Sequence, residues 1–136
     1  MGLRSLGVIG LLALAGCGSP TSEQMASLAA KGYYDHLIHD EFESFLEGVD
    51  VPDYPAIHEE AGLPSYYDQL LDNYRQFMAQ QQTAHGGIRE VRIVRAKTDS
   101  LLHYTNVFLT LCFCDSTNEE IVVPMVNRDG RWRMKY

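Results

Sequence analysis

Positive charge is scarce in this chain. Eleven Lys and Arg face 18 Asp and Glu, a formal net charge of −7 at pH 7. Such a balance excludes a surface built to gather phosphates, so no nucleic-acid partner is expected, and anionic lipid exerts no pull. Long apolar runs are also missing. The run at residues 6–14 falls short of the roughly 20 residues a bilayer-spanning helix needs. Cysteine is sparse, three in 136 residues, which excludes a disulfide scaffold. No Gly-x-Ser-x-Gly elbow, phosphate loop, His-Glu-x-x-His or Cys-x-x-Cys occurs, so the best-defined signatures of hydrolase, nucleotide and metal chemistry are absent. No cofactor is implied.

What is present begins with an address. One cation, Arg4, precedes the apolar run, and small residues follow it, the order of an export signal. The stretch Leu14-Ala15-Gly16-Cys17 closely resembles the lipobox of bacterial lipoproteins. That resemblance implies cleavage just before Cys17 and acylation of its thiol, usually with an N-acyl chain besides. Residues 1–16 are then a signal peptide. The mature chain keeps 120 of the 136 residues and, with Arg4 gone, its net charge moves from −7 to −8. Two or more acyl chains hold a membrane durably, since each buried methylene contributes about 0.8 kcal/mol. The membrane is thus the expected partner through Cys17. In enteric lipoproteins an aspartate after the cysteine favours retention in the inner membrane. Gly18 stands there, so the expected address is the cell envelope, at the outer membrane facing the periplasm.

Residues 17–22 read as the lipidated cysteine and a tether, and residues 23–136 as one domain, long enough for a real core. Thr21 and Gln24 form a capping box for a helix reaching about Ile38. Met25, Leu28, Ala29 and Gly32 are its expected inner stripe. A short helix at residues 40–47 stops at Gly48. Residues 49–63, with two prolines, exceed the usual loop length and suit a lid, broken up by a helical turn at residues 56–61. From Ser65 the apolar positions Tyr67, Leu70, Leu71, Tyr74, Phe77 and Met78 recur at steps of three and four, the stripe of an amphipathic helix. Gly86-Gly87 ends it.

After the glycines the period becomes two. Strands are expected at residues 88–97, 101–114, 119–126 and 131–136. Asp129-Gly130 suits a tight primed turn between the last two. That turn puts Trp132, Met134 and Tyr136 on the face of Met125 and Val123, with Arg133 and Lys135 opposite. Pro124 has no ladder donor, so its strand should be an edge or carry a bulge there. The strand at residues 101–114 is apolar on both faces towards its C-terminal half, so helices cover one face and a second subunit the other, or the sheet curls around its own core. Cys112 and Cys114, on one face and about 6.6 Å apart along a regular strand, are too far apart for a disulfide's Cβ spacing of about 3.8 Å. Two buried free thiols are expected.

Helices first, a helix ending in Gly-Gly, then a meander closing on Gly-x-Trp: "GGIREVRI" at residues 86–93 and "EEIVVPMVNRDGRWRMKY" at residues 119–136 resemble the nuclear-transport-factor-2-like, or cystatin-like, α+β cone. The likeness extends to small bacterial lipoproteins that carry such domains. It implies an α+β fold, N-terminal helices packed on a curved four-stranded antiparallel sheet. That superfamily holds enzymes, ligand binders and association modules, so fold does not give function, and no catalytic motif of an enzymatic branch is recognisable.

The candidate chemistry is thin. His36 and His39 lie three apart, with Asp40 and Glu43 each four residues on from one of them, a spacing a metal can use on a continuous helix. A bend expected near Asp40 and a solvated helix end account for the same residues, and no metal is assigned. Asp35, His36 and His103 are weak candidates for an acid or base. Tyr33, Tyr34, Tyr67, His103 and Trp132 are candidates to line a ligand cavity. The expected role is a non-catalytic binding or assembly module, with the sheet face of Phe108, Cys112 and Cys114 open to a second copy or an envelope protein. The alternative is a small-molecule binder or enzyme that uses the cone interior, gated by residues 49–63.

Overall fold

The structure is a computed structural model, and it describes residues 18–50 and 65–135. Cys17, the 51–64 segment with its expected helical turn, and Tyr136 lie outside the described residues. Helix α1 spans Ser22–Ile38. The Thr21 hydroxyl accepts from the Gln24 N–H at 3.1 Å and the Gln24 amide oxygen accepts from the Thr21 N–H at 2.8 Å, so the capping box satisfies two orphan donors. Asp40, at φ 60°, turns the chain into α2, Phe42–Leu46. Helix α3, Tyr66–His85, starts on the Ser65 hydroxyl and ends on Gly86 at φ 76°, a left-handed position where glycine carries no Cβ penalty.

The sheet differs from the expectation of four antiparallel strands. Among the described residues it has five, in the order β1-β5-β4-β3-β2: β1 is Val49–Asp50, β2 Ile88–Asp99, β3 Tyr104–Phe113, β4 Asn118–Arg128 and β5 Arg131–Lys135. The sheet is mixed, because β1 runs parallel to β5. A strand of two residues offers no alternation to read. It is held from outside, the Met134 N–H donating to the Gly48 carbonyl at 2.6 Å. Gly48 must be glycine, since a Cβ there would sit 2.5 Å from the Tyr33 ring.

The other strands form the expected meander. Met125 pairs with Met134 and Asn127 with Trp132, so the dry face of the last hairpin falls as expected, with Val123, Met125 and Met134 buried. The face of Arg133 is not wholly wet, since its partner Val126 is buried as well. Asp129 and Gly130 both have positive φ, as a two-residue primed turn requires. Pro124 needs no bulge: β4 pairs with β3 in unbroken register, while the ladder to β5 stops at Met125. Beyond that residue β4 has one strand neighbour among the described residues, which spares Pro124 a ladder donor.

The inner face of β3, namely Thr105, Val107, Leu109, Leu111 and Phe113, is buried beneath α1. Here the expected helix stripe is corrected. Ala26, Ala30 and Leu37 are buried, whereas Met25 is 46% and Leu28 61% exposed. Small side chains let a helix approach a sheet closely, and that need overrides hydrophobicity. Two register shifts in β2, between Ile88 and Glu90 and between Ile93 and Arg95, are the bulges that curve the sheet around α1.

The outer face of the sheet is partly covered by its own side chains. The Arg95 guanidinium lies 4.0 Å from the centre of the Phe108 ring and pairs with Glu120 at 3.2 Å. Cys112 is buried on this face, while Cys114 is exposed in the turn after β3, and both are free thiols. The expectation that both would be buried fails for Cys114 because the strand ends one residue before it.

Candidate functional site

The candidate residues divide among four environments. Tyr33 and Trp132 do meet: the Tyr33 hydroxyl donates to the Trp132 carbonyl at 2.7 Å, which pins α1 to β5. Tyr34 packs edge-on against Phe45, ring centres 5.3 Å apart, and Phe45 in turn meets Tyr74 at 4.6 Å. Burial, with Tyr74 close by, pushes the Tyr34 hydroxyl well above the usual tyrosine range, so it stays protonated and neutral. Tyr67 stands 42% exposed on α3, apart from this cluster. Among the described residues, Phe45, Leu37 and Leu46 form one core with the buried face of β3, and Tyr34 and Trp132 pack half-buried against it.

Asp35 and His36 are on the surface of α1. Lys31 donates to the Asp35 carboxylate at 2.7 Å, a pair that is about two-fifths exposed. His36 Nδ1 is 2.8 Å from Glu41 Oε1, and His39 Nδ1 is 2.7 Å from the Asp35 carbonyl. These contacts belong to the end of a solvated helix. Among the described residues no group of three or more His, Cys, Asp or Glu is arranged to hold a metal ion.

Two of the surface cavities involve the candidate residues. One is a groove between α1 and the edge strand β2. Its first part, about 590 Å³, is lined by Pro20, Thr21, Ser27, Leu28, Ile93 and Ala96 among others. Its second, about 640 Å³, is lined by Lys31, Asp35, Ile38, His39 and residues 89–93 of β2. The other is a shallow cavity of about 360 Å³ where Ser22, Thr98, Ser100, His103, Tyr104, Asn127 and Trp132 meet. His103 does not continue the strand, as the alternating pattern suggests. It lies in the turn between β2 and β3 at φ 60°, its N–H donating to the Asp99 carbonyl at 2.9 Å. His103 and Trp132 therefore share a cavity, while Asp35 opens onto the groove.

Sequence reasoning missed the contacts that build this end. The Glu23 carboxylate accepts from the Thr98 N–H at 2.9 Å and from its hydroxyl at 3.1 Å, clasping α1 to β2 across 75 residues. Asp99 Oδ1 accepts from the N–H groups of both Leu101 and Leu102 at 3.0 Å. The Asp99 turn had a local signal, an Asx residue ahead of the loop; the Glu23 clasp had none.

A search of solved structures finds one that resembles this fold. It is a 2.00 Å crystal structure of a Campylobacter jejuni protein provisionally named an NTF2-like transpeptidase, 14% identical, with a TM-score of 0.62 over 79% of this chain and 94% of that one. This chain has an NTF2-like fold. At that identity the likeness concerns the fold and leaves the neighbour's named activity with the neighbour. No protein-family model and no curated protein matches the sequence. Among the described residues, no helix of this NTF2-like domain is long and apolar enough to cross a membrane.

Proposed function

We propose that the chain is a bacterial envelope lipoprotein, tied to the periplasmic side of the outer membrane by acyl chains on Cys17, and that its NTF2-like domain is a non-catalytic binding or assembly module. The observation that carries this reading is Leu14-Ala15-Gly16-Cys17 placed directly after a short apolar run with one cation before it. The non-catalytic part is supported by the packing. Tyr34 packs edge-on against Phe45, Asp35 is tied to Lys31, and His103 is in a turn, so the acid, base and donor candidates do not converge as a reaction centre requires. Binding by a second copy or an envelope protein has the outer sheet face available, where Val122 is 51% exposed beside Phe108.

Intact mass of the protein recovered from membranes of a lipoprotein-processing bacterial host is the test. Loss of residues 1–16 together with diacylglyceryl and acyl mass on Cys17 is expected. Retention of those residues, or an unmodified thiol, overturns the anchor. Light scattering of chain that begins at Gly18 tests self-association, and a monomer at high concentration removes the second copy from consideration.

A further inference from the structure

We infer that the turn between β2 and β3 inserts Leu101 and Leu102 into the surface of the bilayer that holds the anchor, so that the domain stands on the membrane at this end. The inference rests on the lipoprotein reading of Cys17. Leu101 is 88% exposed and Leu102 57%, the two most exposed large apolar side chains at one tip. Their exposure does nothing for the turn itself. Asp99 already satisfies both backbone N–H groups, and polar residues would serve as well there.

The start of the chain selects the occupant. Ser22 shares a cavity with Ser100 and His103, and Glu23 holds Thr98, so α1 begins against the base of this turn. Cys17 is five residues before Ser22 and reaches at most about 18 Å from it even when fully extended. An acylated Cys17 therefore keeps this end, and not the end at Gly86, close to lipid. Behind the leucines, Tyr104 and Trp132 line the cavity, and amphipathic aromatic rings of this kind settle at the headgroup level. The turn at Asp129-Gly130 points the same way, since Asn127 and Trp132 border that cavity, and it adds the exposed Arg131. The overall negative charge disfavours attraction to anionic lipid, which leaves apolar insertion as the source of contact.

The test uses the full lipidated chain in phosphatidylcholine vesicles, in a Trp132→Phe background, with a single reporter tryptophan at L101W, L102W or, on the sheet face, V122W. Lipids brominated near the headgroup end of the acyl chain should quench the reporters at 101 and 102 and shift their emission to the blue, while the reporter at 122 keeps its emission. Equal behaviour at all three positions overturns insertion. A blue shift that follows protein density and ignores bromine puts a second protein copy on the leucines, and that also overturns it. Intact mass of the same samples separates the two readings: acylated protein without quenching removes the insertion alone, whereas unacylated protein removes the anchor and the insertion with it.

Discussion

The turns at the two ends of β3 do the same mechanical work and differ in what they show to solvent. Each is organised by an aspartate. Asp99 accepts from the backbone of Leu101 and Leu102; Asp115 accepts from the Thr117 N–H at 3.0 Å and from its hydroxyl at 2.5 Å. At the 115 end the carboxylate also meets His85 at 2.8 Å, and the His85 ring stacks on Phe113 at 3.9 Å. That turn is polar and fastened to the C-terminus of α3. At the 99 end the carboxylate is used within its own loop, and the fastening to α1 comes from Glu23 instead. Two leucines are left outside. Chain reversal needs the aspartate but not the leucines, which is why the turn at Asp99 reads as a contact surface and the turn at Asp115 as closure.

The comparison can be broken first at its shared support. Leu109, fully buried midway along β3, should cost about 2–5 kcal/mol when cut to alanine; urea unfolding should show both ends lost in one transition. A variant that releases one turn and keeps the other would show that the ends are independent. Next comes Asp115→Asn, which weakens the contacts to Thr117 and His85 and should lower the unfolding temperature more than the same change at Asp99, since only Asp115 reaches a helix. Hydrogen bonds from Thr117, then His85, hold the Asp115 carboxyl down at about 2 against 3.8 for the free group. Its contribution is complete above pH 3.8 and is lost as pH falls through about 2. Acid titration of Asp115→Asn should therefore show a shallower loss of stability over that window than the parent chain.

Asp99→Ala removes the acceptor for two exposed backbone donors and should cost about 1 kcal/mol, with hydrogen exchange quickened at Leu101 and Leu102. The smallest effect on stability is expected from Leu101→Ser with Leu102→Ser, within about 0.5 kcal/mol of the parent in denaturant. A marked loss there would mean that the leucines pack within the fold and are not a surface feature.

Local signals were legible residue by residue. Thr21 with Gln24, Ser65 with Asp68, Gly86 and Asp129-Gly130 each end or begin an element where the structure has one, because caps and turns depend on neighbours a few positions away. The α+β class and the buried face of β3 followed from the change of period. The inner face of α1 did not: Met25 and Leu28 have the hydrophobicity but Ala26 and Ala30 have the size, and only the distance between helix and sheet decides between them. The site fared similarly. Tyr33 and Trp132, both candidates from the sequence, do meet, whereas Asp35, Tyr67 and His103 stand in three different surroundings. Nothing in residue type says which way a side chain faces once a strand starts three residues later than its alternation suggests.

The sequence by itself determined the caps, the hairpin, the apolar faces of the central strand and the charge, since each is set by short-range geometry or by composition. Tertiary structure alone decided that two residues before a proline-rich segment add a parallel strand to β5, that Glu23 finds Thr98, and that the exposed leucines lie beside the start of α1. Those outcomes join positions far apart in the chain, and such contacts form only where the packed layers bring them within reach, which no local pattern encodes.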